Sequence, residues 1–229
     1  MKVSAVLLAR ALVFVETVDL DPKGHVFYPD FVRELVARYQ FQKFPTKIEE
    51  LDETKGVEFI GGKDGNIVIQ KMVIYNTGIL VDTRENTTAS LSIINSALEW
   101  GKSKFGLAYT PEVIRRIAYV SDLTFFSDVP INALNPALVK LSDKVSSAVT
   151  EAHQGTKFEF QATSLMVSHD PLKRKYPVAS FTIQPRAEAP FSEHKYFSEA
   201  PLTTDLHIKF LEEYEEDVKA SIAPAASAR

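Results

Sequence analysis

Between Asn66 and Leu107 the apolar positions change rhythm, from a period of two to a period of three to four. Ile67, Ile69, Val73 and Tyr75 fall on one register and Val68, Met72 and Ile74 on the other. Asn76-Thr77-Gly78 then supplies a turn before Ile79-Leu80-Val81. The pattern predicts a hairpin whose strands are apolar on both faces. Such strands need cover on both sides, from helices, a second sheet or a partner subunit.

The following segment predicts one of those covering helices. Leu91, Ile94, Leu98, Gly101 and Phe105 recur at spacings of three and four, flanked by Ile93, Ala97 and Trp100. Ser92, Asn95, Ser96, Glu99 and Lys102 make the opposite side. Asn86, Thr87 or Thr88 can cap the start, and Gly106 can close the end in the left-handed conformation.

The same reading extends along the chain. Val3 to Val15 predicts a buried first strand or helix. Asp21-Pro22-Lys23-Gly24 predicts a turn, and Pro29 opens a short helix through Phe31, Leu35 and Tyr39. The composition of Tyr39 to Phe44 favours a strand that Pro45 stops, and a polar connection from Thr46 to Lys55 leads to a strand at Val57-Glu58-Phe59-Ile60. Gly61 to Gly65 then turns the chain back. Beyond Phe105, Thr110-Pro111-Glu112 starts a short helix, Ile117 to Phe126 reads as a strand, and Asn135-Pro136 caps a long helix with the stripe Leu138, Leu141, Val145, Ala148 and Ala152. Phe158 to Val167 and Val178 to Gln184 read as strands around a basic loop. A last helix opens at Thr203 or Thr204 with His207, Phe210, Leu211, Tyr214 and Val218 on one face, and Glu212, Glu213, Glu215, Glu216 and Asp217 around the rest.

Hairpin connections mixed with helices predict an α+β fold, mainly antiparallel sheet or sheets with amphipathic helices packed against them. Residues 1–220 read as a single globular domain, with any division into two subdomains falling near 107–111, and 221–229 as a flexible tail.

Composition narrows the chemistry. The 229 residues contain no cysteine, which removes disulfides, thiolate nucleophiles and cysteine-based metal sites. Arg10 interrupts the apolar start, which is too short to span a bilayer, so a cytoplasmic protein without a membrane segment is expected. The net charge of −4 disfavours general nucleic-acid binding.

Several local patterns resemble functional sites and fail on chemistry. Asp19 to Asp30 places acids and Gly24 at calcium-loop positions, but Lys23 stands where a ligand oxygen belongs and Pro22 is awkward. Gly61-Gly62-Lys63-Asp64-Gly65 lacks the Walker spacing and continues into a strand. His25, His153, His169, His194 and His207 contain no pair at helical metal-binding spacing, and no Gly-x-Ser-x-Gly elbow is present. No metal site, cofactor or catalytic residue is therefore assigned. One charge feature remains: His169, Lys173, Arg174 and Lys175 concentrate positive charge in a turn-rich loop, a candidate contact for an anion or an acidic protein.

These readings lead to a non-enzymatic binding or assembly protein that self-associates. The alternatives are an enzyme whose site is assembled from distant Asp, Glu, His, Arg or Tyr residues, and a small-ligand-binding module with an apolar cavity between sheet and helices.

Overall fold

Strand β1 (Lys2–Phe14) takes up the apolar start of the chain, and Ala9, Ala11 and Val13 along one of its faces are fully buried. The structure, a computed structural model, describes residues 1–131, 136–173 and 176–222. Its further strands are β2 (Val57–Asp64), β3 (Ile67–Tyr75), β4 (Gly78–Thr83), β5 (Arg116–Phe126), β6 (Leu165–Val167), β7 (Phe181–Pro185) and β8 (Lys195–Ala200). The helices are α1 (Thr17–Leu20), α2 (Tyr28–Tyr39), α3 (Thr87–Phe105), α4 (Pro136–Ala152) and α5 (Thr204–Ile222). The strands form one antiparallel sheet in the order β2-β3-β4-β1-β5-β8-β7-β6 with helices packed against it, which is the α+β class expected from the pattern. No helix among the described residues is long and apolar enough to cross a membrane.

The chain divides into two compact units. One comprises Val6–Asp122 with Pro201–Asp205; the other comprises Met1–Ala5, Leu123–Ala200 and α5 from Leu206.

In the first unit the strand register explains the core. Ala11 lies opposite Val81, Val81 opposite Met72, and Met72 opposite Phe59. All four side chains have no solvent exposure, so they make one apolar row across β1, β4, β3 and β2. Ile93, Ile94 and Leu98 of α3 join the cluster that covers this row. Burying each such side chain contributes roughly 1.5–3 kcal/mol, enough to outweigh the weak helix propensity of the Thr- and Ser-containing first turn. As the sequence suggests, the Asn86 side chain accepts the Ala89 N–H at 2.8 Å and Gly106 ends α3 with φ of 72°. The opposite sheet face carries a cross-strand ion pair, Arg10 to Asp82, with two hydrogen bonds of 2.7 and 2.8 Å.

Two local expectations are overturned here. Tyr39 to Phe44 is not a strand: Tyr39 ends α2, Gln40 turns left-handed with φ of 54°, and only Lys43 bridges to Ile60. The glycine segment is not all turn either, since β2 runs on through Gly61 and Gly62 to Asp64, leaving Gly65 and Asn66 to reverse the chain. The segment keeps a short backbone link to β2, with the Gln42 and Lys43 N–H groups donating to Ile60 O and the Ile60 N–H to Lys43 O, and the Phe41 ring lies so close to Gly62 that a Cβ there would meet it at 2.5 Å.

In the second unit Leu165 faces Ile183 and Ile183 faces Ser198, pairing β6, β7 and β8 antiparallel. The strand expected over Phe158 to Val167 is confined to its last three residues. Leu138, Leu141 and Val145 of the α4 stripe are exposed, whereas the corresponding face of α5 buries His207, Leu211 and Val218. Glu215, expected among the solvent-facing acids of α5, is buried. It accepts hydrogen bonds from Ser127 Oγ at 2.5 Å and the Asp128 N–H at 2.9 Å, and pairs with Lys219 and the Met1 amino group.

Candidate functional site

The first unit has a partly open cavity of about 560 Å³ lined by the β3–β4 hairpin, α1, α2, α3 and the loop at residues 51–54. Each wall follows from a local sequence feature. The short turn at Asn76-Thr77 lets β3 and β4 present Met72, Ile74 and Ile79 side by side. Pro29 in the first turn of α2 sets Phe31 and Leu35 on the helix face that meets them. Ala97 and Leu98 of α3 close the inner side, and the small Ala97 leaves space that a larger residue would fill.

Main-chain hydrogen bonds fix the polar rim. Asn76 N–H donates to Glu53 O at 3.1 Å, Thr17 N–H to Asn76 O at 2.9 Å, and Ala108 N–H to Leu20 O at 2.8 Å. The rim's three carboxyl groups, Asp21, Asp52 and Glu53, differ in their surroundings. Asp21 accepts the backbone N–H groups of Val26 and His25 at 2.8 and 3.0 Å, which hold its pKa below the usual carboxylate range. Asp52 is held down to about 2 by hydrogen bonds from the Thr54 hydroxyl, from Lys55 and from the Thr54 N–H. Glu53 is shifted the other way: burial pushes its pKa up, against weaker opposing contacts from Tyr28 and Thr17.

Tyr28 completes this end of the cavity. Its hydroxyl oxygen is buried, and its contact with the Glu53 carboxyl lies outside regular hydrogen-bond geometry. Burial and the neighbouring Glu53 both push the phenol well above its ordinary range, so it stays protonated and can donate. The site is thus a mostly apolar cavity in whose wall a half-buried carboxyl, Glu53, neighbours a buried phenol, Tyr28. Among the described residues no histidine lines it.

A serine–histidine pair does occur, in the second unit. Ser198 Oγ lies 2.8 Å from His207 Nε2 and 2.7 Å from Thr182 O, and the Phe181 ring packs edge-on against the imidazole. The carbonyl can only accept, so Ser198 gives it the hydroxyl proton and in turn accepts from His207 Nε2–H. A nucleophile would need the reverse polarity and access to substrate, whereas both side chains are without solvent exposure. This pair is a structural tie between β8, β7 and α5.

Of the basic loop, His169 and Lys173 belong to neither arrangement. His169 is exposed, and Lys173 lies 3.7 Å from Asp170 with its side chain mostly in solvent. Arg174 and Lys175 lie outside the described residues. Asp21 spends its oxygens on backbone N–H groups of its own turn, and no cluster of three or more metal-ligating side chains occurs among the described residues.

Sequence reasoning passed over Tyr28 and Glu53. Glu53 sits in a stretch that reads as a polar connection, and nothing in its spacing points to the first turn of α2. The one local signal was Leu51, an apolar residue inside that charged run, which packs against the core.

Comparison of the sequence with protein-family models and with curated proteins finds no match to either.

Proposed function

We propose that this protein is a binding protein for a small molecule with an apolar body, held in the cavity between the β3–β4 hairpin and helices α2 and α3. The observation that carries this reading is the cavity itself. Its volume falls in the range of small-ligand sites, its lining is mostly apolar, and Glu53 and Tyr28 stand next to one another in its wall. A direct test is titration with the uncharged apolar dye N-phenyl-1-naphthylamine, comparing the wild type with Ala97→Phe, which fills the chamber. Saturable fluorescence that the substitution abolishes, with the circular dichroism spectrum retained, is the expected result. Dye binding that is absent, or indifferent to Ala97→Phe, overturns the reading.

A second reading, self-association, draws on the second unit. Leu138, Leu141 and Val145 leave an apolar stripe of α4 in solvent, and β6, the last strand in the sheet order, exposes Met166 and Val167. An open antiparallel edge is self-complementary about a two-fold axis, so the occupant this favours is a second copy of the chain. Sedimentation should then show a dimer. A monomer from micromolar to near-millimolar concentration removes the reading.

A further inference from the structure

The cavity's charge pattern says what kind of polar end its occupant carries. Among the described residues three carboxyl groups line the cavity, and no lysine, arginine or histidine does. Asp21 and Asp52 are already satisfied by neighbouring N–H, hydroxyl and ammonium donors. Glu53 is half-buried at the apolar wall, and among the described residues it forms no ion pair. A carboxylate in that position has lost part of its hydration without gaining a counter-charge, a cost that a bound cation offsets. Beside it stands the Tyr28 hydroxyl, buried and outside regular hydrogen-bond geometry.

Resting on the reading of the cavity as a ligand site, we propose that the occupant is a cationic amphiphile: a protonated amine on an apolar body, with Glu53 as its counter-ion. An ammonium group carries three donors and no acceptor. One N–H can bond the Glu53 carboxylate and a second the Tyr28 oxygen, and the Tyr28, Phe31 and Tyr75 rings that line the same cavity suit a cation through their π-electrons. The body then lies against Met72, Ile74 and Leu98. A fatty acid or other anionic amphiphile would bring a second negative charge to the same end, and an uncharged alcohol would leave Glu53 without its counter-ion.

The test is displacement of bound N-phenyl-1-naphthylamine at neutral pH by octylamine, octan-1-ol and octanoate, which share a chain and differ in head group. Octylamine should displace the dye at a concentration about tenfold or more below octan-1-ol, as a charge-assisted contact implies, with octanoate the weakest. Glu53→Gln should remove the preference for the amine while octan-1-ol displacement stays within about twofold, the scale of a lost ionic contact without lost apolar burial. If the dye binds and the three head groups displace it equally, or octanoate does best, the amine assignment is wrong and the cavity reading stands. A preference that survives Glu53→Gln overturns the role of Glu53. The head-group order in the wild type decides the ligand class even if the variant fails to fold. Failure of the dye itself to bind removes the underlying reading, and the amine assignment falls with it.

Discussion

Thr87 and Thr204 cap one another's helices. Thr204 Oγ1 accepts the Thr87 N–H at 3.1 Å and Thr87 Oγ1 accepts the Thr204 N–H at 3.0 Å, with both residues buried. Each is the first residue of its helix, where the backbone N–H has no partner within the helix. Two buried donors are thereby satisfied by two hydroxyls far apart in sequence.

Replacing either threonine with alanine leaves the other's N–H buried without an acceptor, so each single variant should lose about 1–2 kcal/mol of stability. Because the two bonds form one reciprocal unit, the double variant should lose less than the sum. Denaturant titration of the four-protein cycle checks this, and strict additivity would show that the two bonds act independently.

On α3, Ile94 has no solvent exposure and Ser92 lies on the exposed side. Ile94→Ala should destabilise by about 2–5 kcal/mol, as expected for a large core deletion, and Ser92→Ala by less than about 0.5 kcal/mol, as for an ordinary surface change. Similar midpoints for the two variants in urea would contradict the assigned face.

Two glycines separate steric from conformational effects. A Cβ on Gly78 would meet Val13 O of the paired strand at 2.5 Å, a backbone atom that cannot swing away. Gly65 has open space around it but a φ of 57°. Gly78→Ala should therefore cost about 1–3 kcal/mol through forced strand separation, and Gly65→Ala about 1 kcal/mol through left-handed strain alone. Thermal unfolding should rank the wild type above Gly65→Ala and Gly78→Ala lowest.

Glu215 links stability to pH. Burial pushes its carboxyl up, but the combined donors from the Met1 amino group, Ser127, the Asp128 N–H and Lys219 outweigh this and hold it down to about 2. A folded-state value below the unfolded one of about 4.3 means that the stabilisation is present above the unfolded value. It is lost as pH falls through the folded one. The contribution is of order 3 kcal/mol near neutral pH. Stability of the wild type should thus decline between about pH 4.5 and 2 more steeply than that of Glu215→Gln. Parallel curves over that window would show that Glu215 is not the linked group.

The local pattern was sufficient for α3 and its caps, the β3–β4 hairpin and the start of α2, because each depends on neighbours three or four residues away or on a turn of two. Hence Asn86, Gly106 and Asn76-Thr77 have the roles their types imply. The loop holding His169 and Lys173 was legible as charge, but charge alone does not bring groups together. What local pattern could not supply was contact between distant segments. Phe41 lies against Gly62 of β2, a residue far from it in the local pattern, and Glu215 is buried where Ser127 and Lys219 satisfy its oxygens. Glu53 and Tyr28 share a cavity only because the loop at 51–54 hydrogen-bonds to Asn76 across from α2. Secondary structure follows from periodicity along the chain, whereas burial of a carboxyl, and with it the candidate site, depends on which donors and apolar walls the fold brings to it from elsewhere.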